Sequence, residues 1–478
     1  MRNLTLLTDL YELTMLNGYF QSDMLERRAV FDLFYRRQGS LAYAVMAGNQ
    51  QAADYLSNLR FTEDDIGWLR GLGLFDERFL TWLQDFRFTC DIDIAPEGSI
   101  VFPGTPLARV EGPLAQAQLI ETALLTLIGH QTLIATKANR VARAAKGDDV
   151  MEFGLRRAQG VDAGIYGARA AMIGGCTSTS NTLAGKMFNI PVAGTHAHSW
   201  VMSFHNELEA FRAYAATYPD NCLLLVDTYD TLRSGVPNAI KVFEELRQKG
   251  HKPRGIRLDS GDLAYLSRKA RKMMDDAGFP DAIICASNDL DEYIIRDLKL
   301  QGARIDLWGV GTKLITGGDT PALGGVYKMS ALEEDGQLVP RMKFSDNPEK
   351  LTLPGRKELY RVYDAQGMAF ADLITLSGER IDTTQPLTLF DPNEVWKRTT
   401  MTDYSLKQIL QPFCREGQIV APQQTLQQIS AYRAQEERTI WEEQLRPLNP
   451  QPHKVDLSQP LWDLRDQLLH SDGWKGNA

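Results

Sequence analysis

Residues 255–316 read GIRLDSGDLAYLSRKARKMMDDAGFPDAIICASNDLDEYIIRDLKLQGARIDLWGVGTKLIT. Three short apolar runs stand out in them: GIRLD (255–259), AIICAS (282–287) and IDLWGVG (305–311). Each ends in polar or glycine residues and is followed by a helical stretch, as a strand feeding a helix would be. The same rhythm precedes them in VMEFG (150–154), IPVAG (190–194) and CLLLVD (222–227), with starts about 23–40 residues apart. That spacing suits βα units, and six in a row predict an α/β fold, as a parallel barrel or a doubly wound sheet. The carboxyl ends of the runs gather Glu152, Thr195, His198, Asp227, Asp259 and Thr312. Functional groups at that end are what a (β/α) barrel shows. The competing reading is that polar residues begin wherever a strand stops.

Outside this series the pattern changes. Leu6, Leu10, Leu13 and Leu16 fall at helical spacing and predict one amphipathic helix over residues 1–20. The stretch from Asp91 to Pro113 alternates and is broken by PEG, PG and EGP, which predicts short strands with tight turns. One long helix is expected from Leu114 to Lys146, stopped by Gly147. Residues 339–390 contain VPRMKFS, ELYRVYD and AFADLITL, which read as antiparallel strands rejoining the early ones. Residues 400–478 read as a helical tail with a Pro-rich connector, RPLNPQPH (446–453). The expected organisation is a discontinuous α/β (α+β) domain (1–113 and 331–400), a barrel domain with the active site (114–330) and a helical C-terminal extension (401–478).

Composition narrows the function classes. With 478 residues, 44% hydrophobic and 24% charged, the chain is globular and not a disordered segment. The 52 Lys+Arg against 61 Asp+Glu leave a net charge of -9, which argues against nucleic acid or an anionic membrane as partner but leaves room for a local basic pocket. Five scattered cysteines with no CxxC fit neither a disulfide scaffold nor a structural zinc site. Asp9 and Glu12 interrupt the apolar core a signal peptide would need. No stretch is expected to serve as a membrane span. The expectation is a cytoplasmic, soluble protein.

Four motifs carry candidate chemistry. In GTHAHSW (194–200) the HxH pair would suit a metal only with further histidines at later strand ends. After His205 the chain has only His251, His453 and His470, and His251 lies before its strand. A second reading makes Ser199 an N-cap and sets His198 at a helix N-terminus, where an anion is favoured and a histidine can carry a phosphoryl group. The plain alternative, a neutral packed histidine, is kept for His196 and His205. In GIRLDSGDL, Asp259 and Asp262 offer carboxylates to ribose hydroxyls or a magnesium pyrophosphate. Arg257 shares the strand face of Asp259 and can fork onto a substrate carboxylate. The same residues read equally well as an Arg–Asp ion pair and an Asp N-cap. In WGVGTKLITGGDTPALGGVYKM (308–329), Gly309, Gly311 and Thr312 suit a phosphate site at the last strand of the series, although the motif is neither a Walker A loop nor a GxGxxG fingerprint. In EFGLRRAQG (152–160), Arg156 or Arg157 can clamp a phosphate and Phe153 can stack on an aromatic ring. Lys137, Arg140 and Arg143 form a basic stripe on the preceding helix, read as a solvated face unless the helix end meets the barrel mouth.

Together TDLYELTM (8–15), EFGLRRA (152–158), AGTHAHS (193–199), IRLDSGDL (256–263), ASNDL (286–290) and GVGTKLITGGDTPALGGVYK (309–328) resemble the nicotinate phosphoribosyltransferase family, in that family's order. The resemblance implies the irregular (β/α) barrel of the type II phosphoribosyltransferases with a discontinuous α/β domain, usually as a homodimer. It implies transfer from 5-phosphoribosyl-1-diphosphate to nicotinate, with Mg2+ as cofactor and ATP as co-substrate spent through a phosphohistidine. By resemblance His198 is that histidine and Asp259 the catalytic carboxylate beside the ribose. Thr195, Arg257 and Phe153 contact nicotinate, and Tyr11 covers its ring, supplied across a dimer interface. Arg156, Asp262, Asn288, Gly311 and Thr312 fall to the phosphoribosyl and phosphate groups, and the metal ligands stay unassigned. The rivals are relatives that use nicotinamide or quinolinate, and a catalytically silent ligand-binding paralogue.

Overall fold

The computed structural model describes residues 3–37, 39, 41–344 and 351–470. Contacts divide the chain into two units, residues 134–321 and the discontinuous pair 1–133 with 322–478.

The first of these holds the βα series. Its six strands are β1 (Asp149–Glu152), β2 (Ser178–Thr179), β3 (Leu223–Leu225), β4 (Gly255–Leu258), β5 (Ile283–Ala286) and β6 (Leu307–Val310). They pair in the order β2-β1-β6-β5-β4-β3, every neighbour parallel. Met151, Leu223, Cys285 and Leu307, one from each of four strands, cluster inside with Phe153 and Ala193. Because side chains alternate along a strand, this fixes which positions face inward. Asp227, Asp259, Ser287, Gly311 and Phe153 continue the inward series past the carboxyl ends.

Closure of the barrel is irregular. The run 190–194 forms no strand. Its backbone makes one bridge, Val192 to Thr179 at the β2 edge, with the Ala193 amide donating to the Thr179 carbonyl at 3.0 Å. A few residues on, His196 Nε2 accepts from the Leu225 amide of β3 at 3.2 Å. A single segment thus touches both edges of the sheet. Pro191 has no N–H to give a ladder, which limits the run to a bridge. The unpredicted β2 replaces it as a sheet member, in the polar stretch CTSTS.

The discontinuous unit is built on a seven-stranded sheet. The order is Gln337–Pro340, Gly325–Glu334, Arg28–Tyr35, Ala108–Pro113, Asp91–Ile94, Gln411–Arg415 and Gln418–Ile419. A four-stranded sheet joins Tyr404–Gln408, Lys357–Asp364, Ala369–Leu376 and Lys454–Leu457. The division differs from the expected one in three ways. Residues 114–133 belong here, so the boundary falls inside the long helix. Residues 322–330 belong here too, since Gly325–Glu334 pairs along Arg28–Tyr35. Residues 401–478 are no separate helical extension: they carry helices Leu426–Arg438 and Gln459–His470, and also strands of both sheets. Ser345 of the VPRMKFS strand and residues 471–478 of the tail lie outside the described residues.

Local corrections have local causes. The first helix runs Leu10–Gln21, because buried Thr5 donates its hydroxyl to the Arg60 carbonyl at 2.8 Å and holds the preceding residues in a turn. The long helix is broken at Ile120 into Leu114–Leu119 and α1 (Glu121–Ala145), and ends as expected before Gly147 at φ 95°. Contrary to expectation, the stretch Leu114–Ala145 is long and apolar enough by composition to cross a membrane. Two-thirds of its most apolar window is buried in the protein, as in a core helix.

Candidate active site

The inward positions at the carboxyl ends of β1, β4 and β5 converge on Arg257. Its register neighbour Cys285 lies inside the barrel, so the guanidinium points inward as well. It donates from Nε to the Ser287 hydroxyl at 2.8 Å, from Nη1 to Thr195 Oγ1 at 3.2 Å and from Nη2 to Asp259 Oδ1 at 2.9 Å. Arginine has five N–H donors, so one remains on each terminal nitrogen. The Arg257 Cζ stands 5.6 Å from the centre of the Phe153 ring, a cation–π contact. That ring occupies the space a side chain at position 309 would need: a Cβ on Gly309 would sit 2.7 Å from two ring carbons.

Asp259 connects this group to the histidine. Its Oδ1 accepts from both Arg257 and Ser287, while Oδ2 lies 3.7 Å from His198 Nε2. Burial opposes the Asp259 carboxylate, but the Ser287 hydroxyl and the Arg257 guanidinium outweigh it and hold the pKa below the ordinary value. The other His198 nitrogen, Nδ1, meets Thr228 Oγ1 at 3.1 Å. Side-chain exposure rises from 14% at Arg257 through 31% at Asp259 to 41% at His198, so the histidine is the end that ligands reach first. Asp227 supports the row from below. Its Oδ2 accepts from the Asp259 amide at 2.8 Å and the Ser260 hydroxyl at 2.6 Å. Its Oδ1 is buried and finds no hydrogen-bond partner among the described residues.

His198 opens the short helix α2 (His198–Met202), whose cap is Ala197 and not Ser199. Ala197 takes the extended cap conformation and the helix starts two residues earlier than predicted. His196 has a structural role. It is buried, and burial lowers its pKa from 6.5 to about 4, so it stays neutral and accepts the Leu225 N–H.

The remaining predicted residues have different local settings. Glu152 is buried, and burial raises its pKa. It accepts from the Thr179 hydroxyl at 2.6 Å and from the Gly154 amide, which shapes the turn bearing Phe153 and the exposed Arg156. Asp262 caps helix α3 (Leu263–Asp276) by accepting from the Tyr265 amide at 2.9 Å, the plainer of its two readings. Asn288 follows β5 in the left-handed region at φ 101°, a strained position for a residue with a side chain. Gly311 caps the short helix α5 (Thr312–Ile315), and Thr312 is exposed at its start. Tyr11 is exposed on the Leu10–Gln21 helix of the discontinuous unit. Thr228 carries no sequence signal beyond lying next to a strand end, and Ser287 lies within the ASNDL motif with no role of its own legible there. Among the described residues no group of three or more His, Cys, Asp or Glu is placed to hold a metal.

Three family descriptions match in succession: the nicotinate phosphoribosyltransferase N-terminal domain over residues 6–129, the family's central region over 149–365 and its C-terminal domain over 356–465. A nicotinate phosphoribosyltransferase of Bacillus subtilis is 47% identical over 471 residues, covering 98% of this chain and 96% of its own. The human enzyme of that name is 32% identical over 522 residues, covering 97% and 96%. A crystal structure of human nicotinic acid phosphoribosyltransferase superposes with a TM-score of 0.86 at 30% identity, covering 96% of this chain and 99% of that one. A nicotinate-nucleotide pyrophosphorylase from Pyrococcus furiosus, at 21% identity and a TM-score of 0.68, shares the fold.

Proposed function

The chain belongs to the nicotinate phosphoribosyltransferase family, and from that premise we propose how its barrel mouth joins nicotinate to 5-phosphoribosyl-1-diphosphate and couples the reaction to ATP. It is an enzyme of NAD biosynthesis from nicotinate, with nicotinate mononucleotide and diphosphate as products. The observation that carries the coupling is the shared carboxylate. Asp259 bonds Arg257 through one oxygen and faces His198 with the other.

The two N–H groups left on Arg257 take the nicotinate carboxylate as a fork, with Thr195 beside them and the ring against Phe153. The pyridine nitrogen attacks C1 of the ribose as the bond to diphosphate breaks. Positive charge develops on the sugar, and an ionised Asp259 stabilises it. Asn288, Gly311, Thr312 and Arg156 bind the phosphoribosyl and phosphate groups. An imidazole nitrogen of His198 takes the terminal phosphoryl group of ATP, releasing ADP, and water later removes it as phosphate. Thr228 orients the ring while this happens.

Mg2+ fits the donors present. The orphaned Oδ1 of Asp227 and the outer oxygen of Asp259 are hard ligands, and two carboxylates with the remainder from phosphates and water suit that ion. When bound it neutralises the diphosphate leaving group. Tyr11 and a homodimer complete the reading. In it the exposed tyrosine of one copy covers the ring bound by another, in the cytoplasm.

Product chromatography tests the proposal: purified protein receives 5-phosphoribosyl-1-diphosphate and Mg2+ with nicotinate or nicotinamide, with and without ATP. Nicotinate mononucleotide from nicotinate, formed faster with ATP, is the expected outcome. Product from nicotinamide alone would overturn the role of Arg257.

A further inference from the structure

The basic stripe on α1 is not a solvated face. Lys137 and Arg140 are buried, and both close on one carboxylate. Lys137 Nζ lies 2.6 Å from Glu292 Oε2 and Arg140 Nε lies 3.0 Å from Glu292 Oε1. Arg140 also donates to the Tyr293 hydroxyl at 2.8 Å. Glu292 is the first residue of helix α4 (Glu292–Leu300), four residues beyond Asn288.

The Lys137 ammonium has a second neighbour. After α5 the chain turns through Gly317 at φ 73° and Gly318 at φ 66°. A Cβ on Gly318 would lie 2.9 Å from Lys137 Nζ and 3.2 Å from its Cε. The turn that ends the Thr312 loop therefore rests directly on the ammonium, and only glycine combines that approach with that backbone. One lysine thus touches the element after Asn288 and the element after Thr312. A buried ion pair of this kind is weak as a stabiliser compared with apolar packing, so its value is geometric.

We propose that Lys137 is a positioning residue that fixes the Asn288 and Thr312 loops at one spacing and so sets the affinity for the phosphoribosyl group. The inference rests on the reading that these two loops bind that group. Lys137→Met keeps an unbranched apolar stem and removes the ammonium, while Arg140 still pairs with Glu292. A 1 Å error in position is costly, so KM for 5-phosphoribosyl-1-diphosphate is expected to rise about tenfold or more, with KM for nicotinate nearly unchanged. Gly318→Ala should raise the same KM, and less so in the Lys137→Met background, because the methyl then meets no ammonium. If Lys137→Met does not fold, Gly318→Ala against Gly318→Ala/Lys137→Arg carries the comparison, and equal KM values for the phosphoribosyl donor in both and in wild type overturn the proposal. So does an unchanged donor KM in folded Lys137→Met, or an equal rise in both KM values. Asn288→Ala and Thr312→Val separate the two levels. If neither alters the donor KM, the reading of the loops fails. If they raise it and Lys137→Met does not, the positioning inference alone fails.

Discussion

Arg257→Lys keeps a positive charge at the base of the site and removes the fork. In the structure the guanidinium spends three donors on Ser287, Thr195 and Asp259 and keeps one on each terminal nitrogen. A hydrogen bond to a charged group is worth about 1.5–3 kcal/mol, and an ammonium placed there can keep one of the two to a carboxylate. The loss specific to nicotinate is then about 1.5–3 kcal/mol, or roughly 10- to 150-fold in kcat/KM. Disturbance of Ser287, Thr195 and Asp259 affects either base alike, so the ratio of nicotinate to nicotinamide isolates the carboxylate contribution. The assay is kcat/KM for both bases at fixed phosphoribosyl donor, with thermal unfolding as a check on the fold. The ratio should fall by that factor. A parallel fall for both bases, with the ratio intact, would refute a fork onto the nicotinate carboxylate.

Thr228→Val removes the hydroxyl at His198 Nδ1, and about 1 kcal/mol of orientation is lost, so stimulation by ATP should fall about fivefold and return in Thr228→Ser. Stability should depend on pH through His196. Its folded pKa of about 4 lies below the ordinary 6.5, so the unfolded chain binds the extra proton between those values. Stability is therefore full above pH 6.5 and falls by roughly 3 kcal/mol as pH drops to 4. His196→Gln should flatten that dependence in denaturant titrations, and an unchanged slope would put the dependence elsewhere.

The strands were legible where both of their faces are buried. Cys222–Val226, Ile283–Ala286 and Leu307–Val310 show as unbroken apolar runs for that reason. Ser178–Thr179 is two polar residues long, and nothing local distinguishes it from a loop. IPVAG has the composition of a strand, but Pro191 and the turn into His196 make it a clasp across the sheet edges. Tyr404–Gln408 and Gln411–Arg415 are half-exposed and polar, which hid them in a tail read as helical. At the site, Arg257 and Asp259 were readable because i and i+2 share a strand face. Lys137 was misread because its partner Glu292 lies far along the chain and becomes its neighbour only through the fold. Thr228 and Ser287 became visible for the same reason, by proximity to His198 and Arg257.

The most direct test of coupling through the shared carboxylate is the rate of nicotinate mononucleotide formation by His198→Ala, with and without ATP. Loss of all stimulation by ATP, with a slow residual transfer indifferent to the nucleotide, is the predicted result. Stimulation equal to that of the unmodified protein would remove His198 from the mechanism and contradict the account.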